Sequence, residues 1–285
     1  MPTVSTGRLP SSPGADVAWH AWDPDGPPRA TLAVCHGFGE HGRLAPYDAL
    51  AAALAEAGIA VALFDAGGHG QSAGPRGHVV SARQYDATVT WFRAFAAARG
   101  GGRPLFLLGM SAGSLPSLRS AIEAPAGLAG LILVASPLGR VGASPLVMGV
   151  ASLAARIAPG LGFNPRLDLD NLSRDREMTR AIHDDPLFHQ RATAGAVRYF
   201  LAEAAALRAD AGRLAVPLLM LHGADDRIAM PHTEAFERAG VADKTRCLYP
   251  GARHNLFAET NRAEVFADIA AWIGARAAAG TLPPS

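Results

Sequence analysis

Short apolar runs recur along the chain, each followed by a longer, often Ala-rich stretch, and this rhythm limits the possible folds more than any other feature. Thr31–Cys35, Ile59–Phe64, Leu105–Leu108, Leu131–Val134, Val216–Leu221 and Thr245–Tyr249 are the strand candidates, several of them apolar almost throughout. Strands covered by helices on both faces need that pattern, whereas a strand with one wet face would alternate. Between them Tyr47–Ala57, Ser81–Arg99, Ala112–Glu123, Pro231–Ala239 and Ala263–Ala278 read as helices, some opened by Ser or Pro and several followed by Gly. The expectation is an α/β fold with a mostly parallel central sheet and helices on both faces. The residues before about Thr31, including Val17–Trp22, are expected to add an antiparallel edge.

The rhythm breaks between Pro137 and Arg213, where no strand is evident and Pro145, Pro159, Pro165 and Pro186 interrupt helical text. We read residues 1–136 as the first part of a core, 137–213 as an inserted helical cap and 214–285 as the second part of the core. With 49% hydrophobic and 18% charged residues, the 285-residue chain can bury such a core and is unlike a disordered protein. Its 26 Lys+Arg and 25 Asp+Glu nearly cancel and form no basic run, so no nucleic-acid partner is expected. Cys35 and Cys247 lie far apart without redox or zinc spacing. Both read as small hydrophobes, and neither a metal nor an organic cofactor is expected. The first residues lack an apolar signal core, and no stretch reaches the roughly 18 apolar residues of a membrane span. A cytoplasmic protein is expected.

Chemistry enters at Gly109-Met110-Ser111-Ala112-Gly113, which follows an apolar run and opens a helical pattern. This is the strand–turn–helix setting of a nucleophile elbow, where small residues two before and two after the serine let neighbouring backbone pass. A serine hydroxyl needs an imidazole to take its proton and a carboxylate to orient that imidazole. Asp225 and Asp226 follow the run Val216–Leu221, and His254 follows the last strand candidate. Reacting groups in open α/β sheets collect at the carboxyl ends of strands, so these loops can converge. Ala112 and a residue of His36-Gly37-Phe38-Gly39, for which we take Phe38, are expected to offer backbone N–H groups to an oxyanion. His36 reads as structural.

His36-Gly37-Phe38-Gly39-Glu40-His41, Asp65-Ala66-Gly67-Gly68-His69-Gly70-Gln71-Ser72 and Gly74-Pro75-Arg76-Gly77-His78-Val79 resemble the monoacylglycerol lipase and lysophospholipase branch of the α/β-hydrolases, also labelled serine aminopeptidase S33-like. Ser173-Arg174-Asp175 and Asp184-Asp185-Pro186-Leu187 resemble its signatures as well. The resemblance implies Ser111 as nucleophile, His254 as base and Asp226 rather than Asp225 as the acid, with Phe38 and Ala112 as oxyanion donors. Gly67, Ala112 and Ser114 depart from the family pattern. His69 and His78 read as loop-holding residues.

Leu146, Val147, Met148, Val150, Leu153, Ile157 and Leu161 form an apolar stripe that could face the core or an acyl chain. Met110, Leu146, Met148, Leu153 and Ile157 are the substrate-binding candidates. The expected activity is hydrolysis of a single-chain lipid ester through an acyl-enzyme, with possible peripheral membrane contact through the cap. An amidase or aminopeptidase using the same triad and a non-catalytic scaffold are the alternatives. Acidic cap residues such as Asp184 or Asp185, presented to a substrate amine, would favour the amidase.

Overall fold

The computed structural model describes residues 1–11, 15–79, 82–139, 149, 155–164 and 168–279. Eight strands form one sheet: β1 (Thr3–Ser11), β2 (Ala15–Asp23), β3 (Ala30–Cys35), β4 (Ile59–Phe64), β5 (Leu105–Met110), β6 (Leu128–Val134), β9 (Leu218–Gly223) and β10 (Lys244–Tyr249), ordered β1-β2-β4-β3-β5-β6-β9-β10. The β1–β2 and β2–β4 pairs are antiparallel, and every later pair is parallel.

Every residue of β3, β4, β5 and β9 is buried. Alternate side chains feed two apolar layers, as the twofold period of a strand requires. Leu32, Val34, Phe106 and Leu108 join α1 (Ala45–Glu56) and α7 (Arg262–Ala279) in one layer. Ala33, Cys35, Leu105 and Leu107 join α2 (Ala82–Arg99) and α3 (Ser114–Glu123) in the other. Cys35 faces Gly109 in the ladder and Gly223 faces Tyr249, so the loops after β3, β5, β9 and β10 all leave the sheet at its carboxyl edge.

Between β6 and β9 the chain leaves the sheet. It forms β7 (Gly162–Phe163), α4 (Arg176–Asp184), β8 (Ala192–Thr193) and α5 (Ala194–Asp210) in turn, and β7 and β8 pair antiparallel. Asp175 caps α4 and Thr193 caps α5 through their side chains. Arg119 of α3 holds α5 by hydrogen bonds to Glu203 at 2.6 Å and Asp210 at 2.9 Å. Backbone also meets backbone: a Cβ on Gly39 would sit 1.9 Å from the His189 carbonyl oxygen, and one on Gly77 1.8 Å from that of Arg191. No helix among the described residues is long and apolar enough to cross a membrane.

Four expectations change. The antiparallel edge is a hairpin whose outer strand, β1, lies before Val17–Trp22. Its largely exposed, polar text carries no apolar run. The stretch 137–213 does contain strand, the short β7–β8 ladder. Only Glu234–Arg238 (α6) of Pro231–Ala239 is helical, because the backbone just before it is engaged elsewhere. Ala229 N–H donates to Asp226 and the Ala229 carbonyl accepts from His222. Finally, the helix after the elbow starts at Ser114, following a tight turn over Ser111–Gly113.

Candidate active site

Ser111 sits at the C-terminal end of β5 with φ of 50°, a left-handed conformation that costs a non-glycine residue about 1–3 kcal/mol. The turn is possible because its neighbours lack side chains. A Cβ on Gly109 would lie 2.4 Å from Ser114 Cα, and one on Gly113 2.4 Å from the His36 carbonyl oxygen. Ser114, at one of the departures from the family pattern, donates its hydroxyl to the Ser111 carbonyl at 2.6 Å and accepts from the Ser136 hydroxyl at 2.8 Å. Gly67, another departure, has room for a side chain, its nearest atom to a built Cβ being the Ala73 carbonyl at 3.9 Å.

Ser111 Oγ–H donates to His254 Nε2 at 2.8 Å, and His254 Nδ1–H donates to Asp226 Oδ2 at 2.8 Å. His222 Nε2 also reaches Asp226 Oδ2, at 3.0 Å, while Ile228 and Ala229 donate backbone N–H groups to Oδ1 at 2.8 and 2.9 Å. Burial alone would raise the pKa of this carboxyl. The hydrogen bonds from His222 and His254 outweigh it and hold Asp226 well below the usual carboxylate range. Asp225 is exposed, and its backbone N–H ties the loop to the Ala252 carbonyl.

The backbone N–H of Phe38 has no protein acceptor among the described residues, and Ala112 lies in the tight turn that Ser111 opens. Gly37 is close to Ser111, since a Cβ on it would lie 3.5 Å from Ser111 Cβ. The Phe38 ring packs edge-on against His69, His189 and Phe200, with centroids 5.3, 6.1 and 5.4 Å away. His36 accepts the Ala66 N–H at Nε2 and donates Nδ1–H to the Gly37 carbonyl. Burial lowers its pKa to about 4, so it is a neutral brace at pH 7. His69 donates to the Gly67 carbonyl, and His78 bonds Thr193, the cap of α5.

The substrate-binding candidates fare differently. Leu146, Met148 and Leu153 lie outside the described residues. Met110 has no accessible surface and packs in the core beneath the elbow, so it presents no surface to a ligand. Ile157 is 79% exposed, with Leu161 at 56% and Phe163 at 38% beside it.

Residues whose roles the sequence left unread also gather here. Asn171 and Leu172 carbonyls accept the His254 and Asn255 N–H groups, tying the segment before α4 to the histidine loop. Glu259, fully buried, binds Arg174 at 2.8 Å and the Arg253 N–H at 2.7 Å. Glu40 Oε1 accepts from Asn255 Nδ2 at 2.9 Å across 215 positions of sequence. Among the described residues no group of His, Cys, Asp and Glu could hold a metal ion.

Comparisons with known proteins agree with this architecture. The family model described as "Serine aminopeptidase, S33" matches residues 26–261. Human monoglyceride lipase is 31% identical over 296 residues, covering 100% of this chain and 95% of its own. The monoacylglycerol lipase of Mycolicibacterium smegmatis is 29% identical over 265 residues, covering 91% and 93%. Among solved structures, Paleococcus ferrophilus monoacylglycerol lipase superposes with a TM-score of 0.80 at 27% identity, over 96% of this chain and 99% of the other. The chain is a hydrolase that belongs to the serine aminopeptidase S33 family of α/β-hydrolases, in its monoacylglycerol lipase-like branch.

Proposed function

We propose that the chain is a serine hydrolase that cleaves single-chain lipid esters, a monoacylglycerol or a lysophospholipid, through an acyl-enzyme intermediate. The observation that carries this reading is the unbroken line of hydrogen bonds from Asp226 through His254 to Ser111 Oγ. His254 Nε2 takes the hydroxyl proton as Ser111 Oγ attacks the ester carbonyl. The N–H groups of Phe38 and Ala112 receive the oxyanion. His254 then gives its proton to the departing alcohol, and water, activated by the same imidazole, releases the fatty acid and restores Ser111.

Residues 137–213 are read as a cap over this site. Ile157, Leu161 and Phe163 expose apolar surface on it, which suits contact with a lipid surface. An amidase role is less well supported, because one of the two cap acids, Asp185, is already engaged by a buried histidine. Asp185 is engaged by His41 at 3.0 Å, and Asp184 is exposed beside His183.

The test is hydrolysis of p-nitrophenyl esters of graded chain length, a monoacylglycerol and a lysophospholipid by the wild type and Ser111→Ala. Turnover that rises with chain length and vanishes in the variant is expected. A folded wild type that leaves every ester intact but cleaves an aminoacyl amide would transfer the site to amide chemistry, and inertness toward both would make it a binding scaffold.

A further inference from the structure

Glu40 stands in the turn after β3, two residues beyond Phe38, and is 5% exposed. Its Oε2 accepts the Gly37 N–H at 2.9 Å and the Tyr47 hydroxyl, and its Oε1 accepts the Asn255 side-chain amide at 2.9 Å. All three partners offer donors, the pattern an ionised carboxylate needs. None of them is a cation, although a buried anion is costly unless an opposite charge is near.

The carboxylate lies directly behind the oxyanion loop. A Cβ built on Gly37 would be 2.5 Å from Glu40 Oε2 on one side and 3.5 Å from Ser111 Cβ on the other. Asn255, the residue it holds, immediately follows His254. The one carboxylate therefore joins the loop that carries an oxyanion donor to the loop that carries the base.

We propose that Glu40 is a positioning residue with two effects: it clamps the Phe38 loop to the His254 loop, and its buried negative charge favours the imidazolium that His254 becomes during the reaction. The proposal rests on the serine-hydrolase reading above. Burial pushes the Glu40 carboxyl above the ordinary range, opposed by the Tyr47 hydroxyl, the positive charge of His254 and the Gly37 N–H. The titratable groups that face it are Tyr47 from α1, His41 from its own turn and His254 from the loop after β10. His41 is already paired with Asp185, which leaves His254 as the cation whose formation Glu40 can assist.

The two effects have separate readouts. Glu40→Gln keeps the shape and removes the charge. We expect kcat to fall about 10- to 100-fold with KM within about twofold, and the acidic limb of the kcat/KM profile to move down by about half a pH unit or more, because an anion near an imidazole favours its protonated form. Adding Asn255→Asp returns a carboxylate to the same pair with the amide on the other partner, and should restore the limb and part of kcat. Asn255→Ala cuts the clamp but keeps the charge, so kcat should fall about three- to tenfold with the limb unmoved.

Wild-type kcat and limb in folded Glu40→Gln overturn the proposal. If that variant does not fold, Asn255→Ala and Tyr47→Phe carry the test, and wild-type kcat in both overturns it. Labelling of Ser111 by a fluorophosphonate in the wild type separates the two readings. A wild type that neither labels nor turns over ester removes the hydrolase reading itself, whereas an active, labelled wild type matched by its Glu40 variants removes only the role of Glu40.

Discussion

The loops at the carboxyl edge of the sheet and the segment between β6 and β9 face the same site but are built differently. Around Asp226, His254 and Ser111 nearly every polar atom has a partner, and Asp226 alone takes two ring N–H and two backbone N–H donors. In the segment, residues 156–164 are all exposed, including Ile157, Leu161 and Phe163. A fully satisfied network holds one geometry, as bond-making at a fixed carbonyl requires. A surface of exposed apolar side chains can adapt to different tails. On the proposed function, the chemistry belongs to the sheet edge and the choice of substrate to the segment.

The sharpest break would come at the sheet edge. Ser111→Ala should lower kcat/KM by about 10⁵-fold or more, leaving only what binding and the oxyanion donors supply. Asp226→Asn should cost about 10⁴-fold, since the amide cannot hold His254 in the tautomer that accepts from Ser111. An Asp226→Asn variant within tenfold of wild type would show that the loop's order is structural. Gly113→Ala drives a methyl into the Cys35 and His36 carbonyls at 2.5 and 2.4 Å and should destabilise by about 1–3 kcal/mol, read as a lower denaturation midpoint.

On the segment side the effects should be smaller and of a different kind. Ile157→Glu with Leu161→Glu should reduce turnover of a long-chain ester on vesicles roughly tenfold, while a short soluble ester stays within about twofold. Equal losses on both substrates would erase the division of labour.

The smallest effect is expected where the segment meets the core. Asp86 of α2 lies 3.5 Å from the Tyr199 hydroxyl of α5. Burial, then the charge of Glu203, pushes its carboxyl up to about 7, with Arg119 opposing and Glu123 adding to the rise. Its pKa is therefore higher folded than unfolded, where about 3.9 applies, and the folded state binds the extra proton. The stability this group supports is present below about pH 4 and lost as the pH rises through about 7. Asp86→Asn should raise the melting temperature by a few degrees at pH 8 and by little at pH 5. The opposite order would mean that Asp86 is held as an anion by Arg119.

The parts of the site that could be read in the sequence are those whose geometry is local. Gly109 to Gly113 contain both the proposed nucleophile and the glycines that permit its turn, Asp226 follows a run that is apolar because β9 is buried throughout, and His254 follows β10, the edge strand that ends the βα rhythm. Glu40 and Asn255 meet only in the fold, and no spacing in the chain relates them. The outer strand β1 went unread because an exposed edge carries no apolar signature, and α6 was overestimated because His222 and Asp226 claim the backbone before it. Met110 looked available because it adjoins Ser111, yet strand alternation turns it into the core.

Gly39 and Gly77 let the His189–Arg191 backbone lie directly on the core loops, and the ring of Phe38 is packed by His189 and Phe200 of the same segment. The residue proposed to donate to the oxyanion is thus itself part of the joint. By thermodynamic reciprocity, whatever shifts that segment shifts the donor, and stabilising charge at the donor must in turn favour one placement of the segment. On the proposed function, the binding of a tail at the segment and of an anion at the donor are then linked equilibria, each strengthening or weakening the other by the same factor.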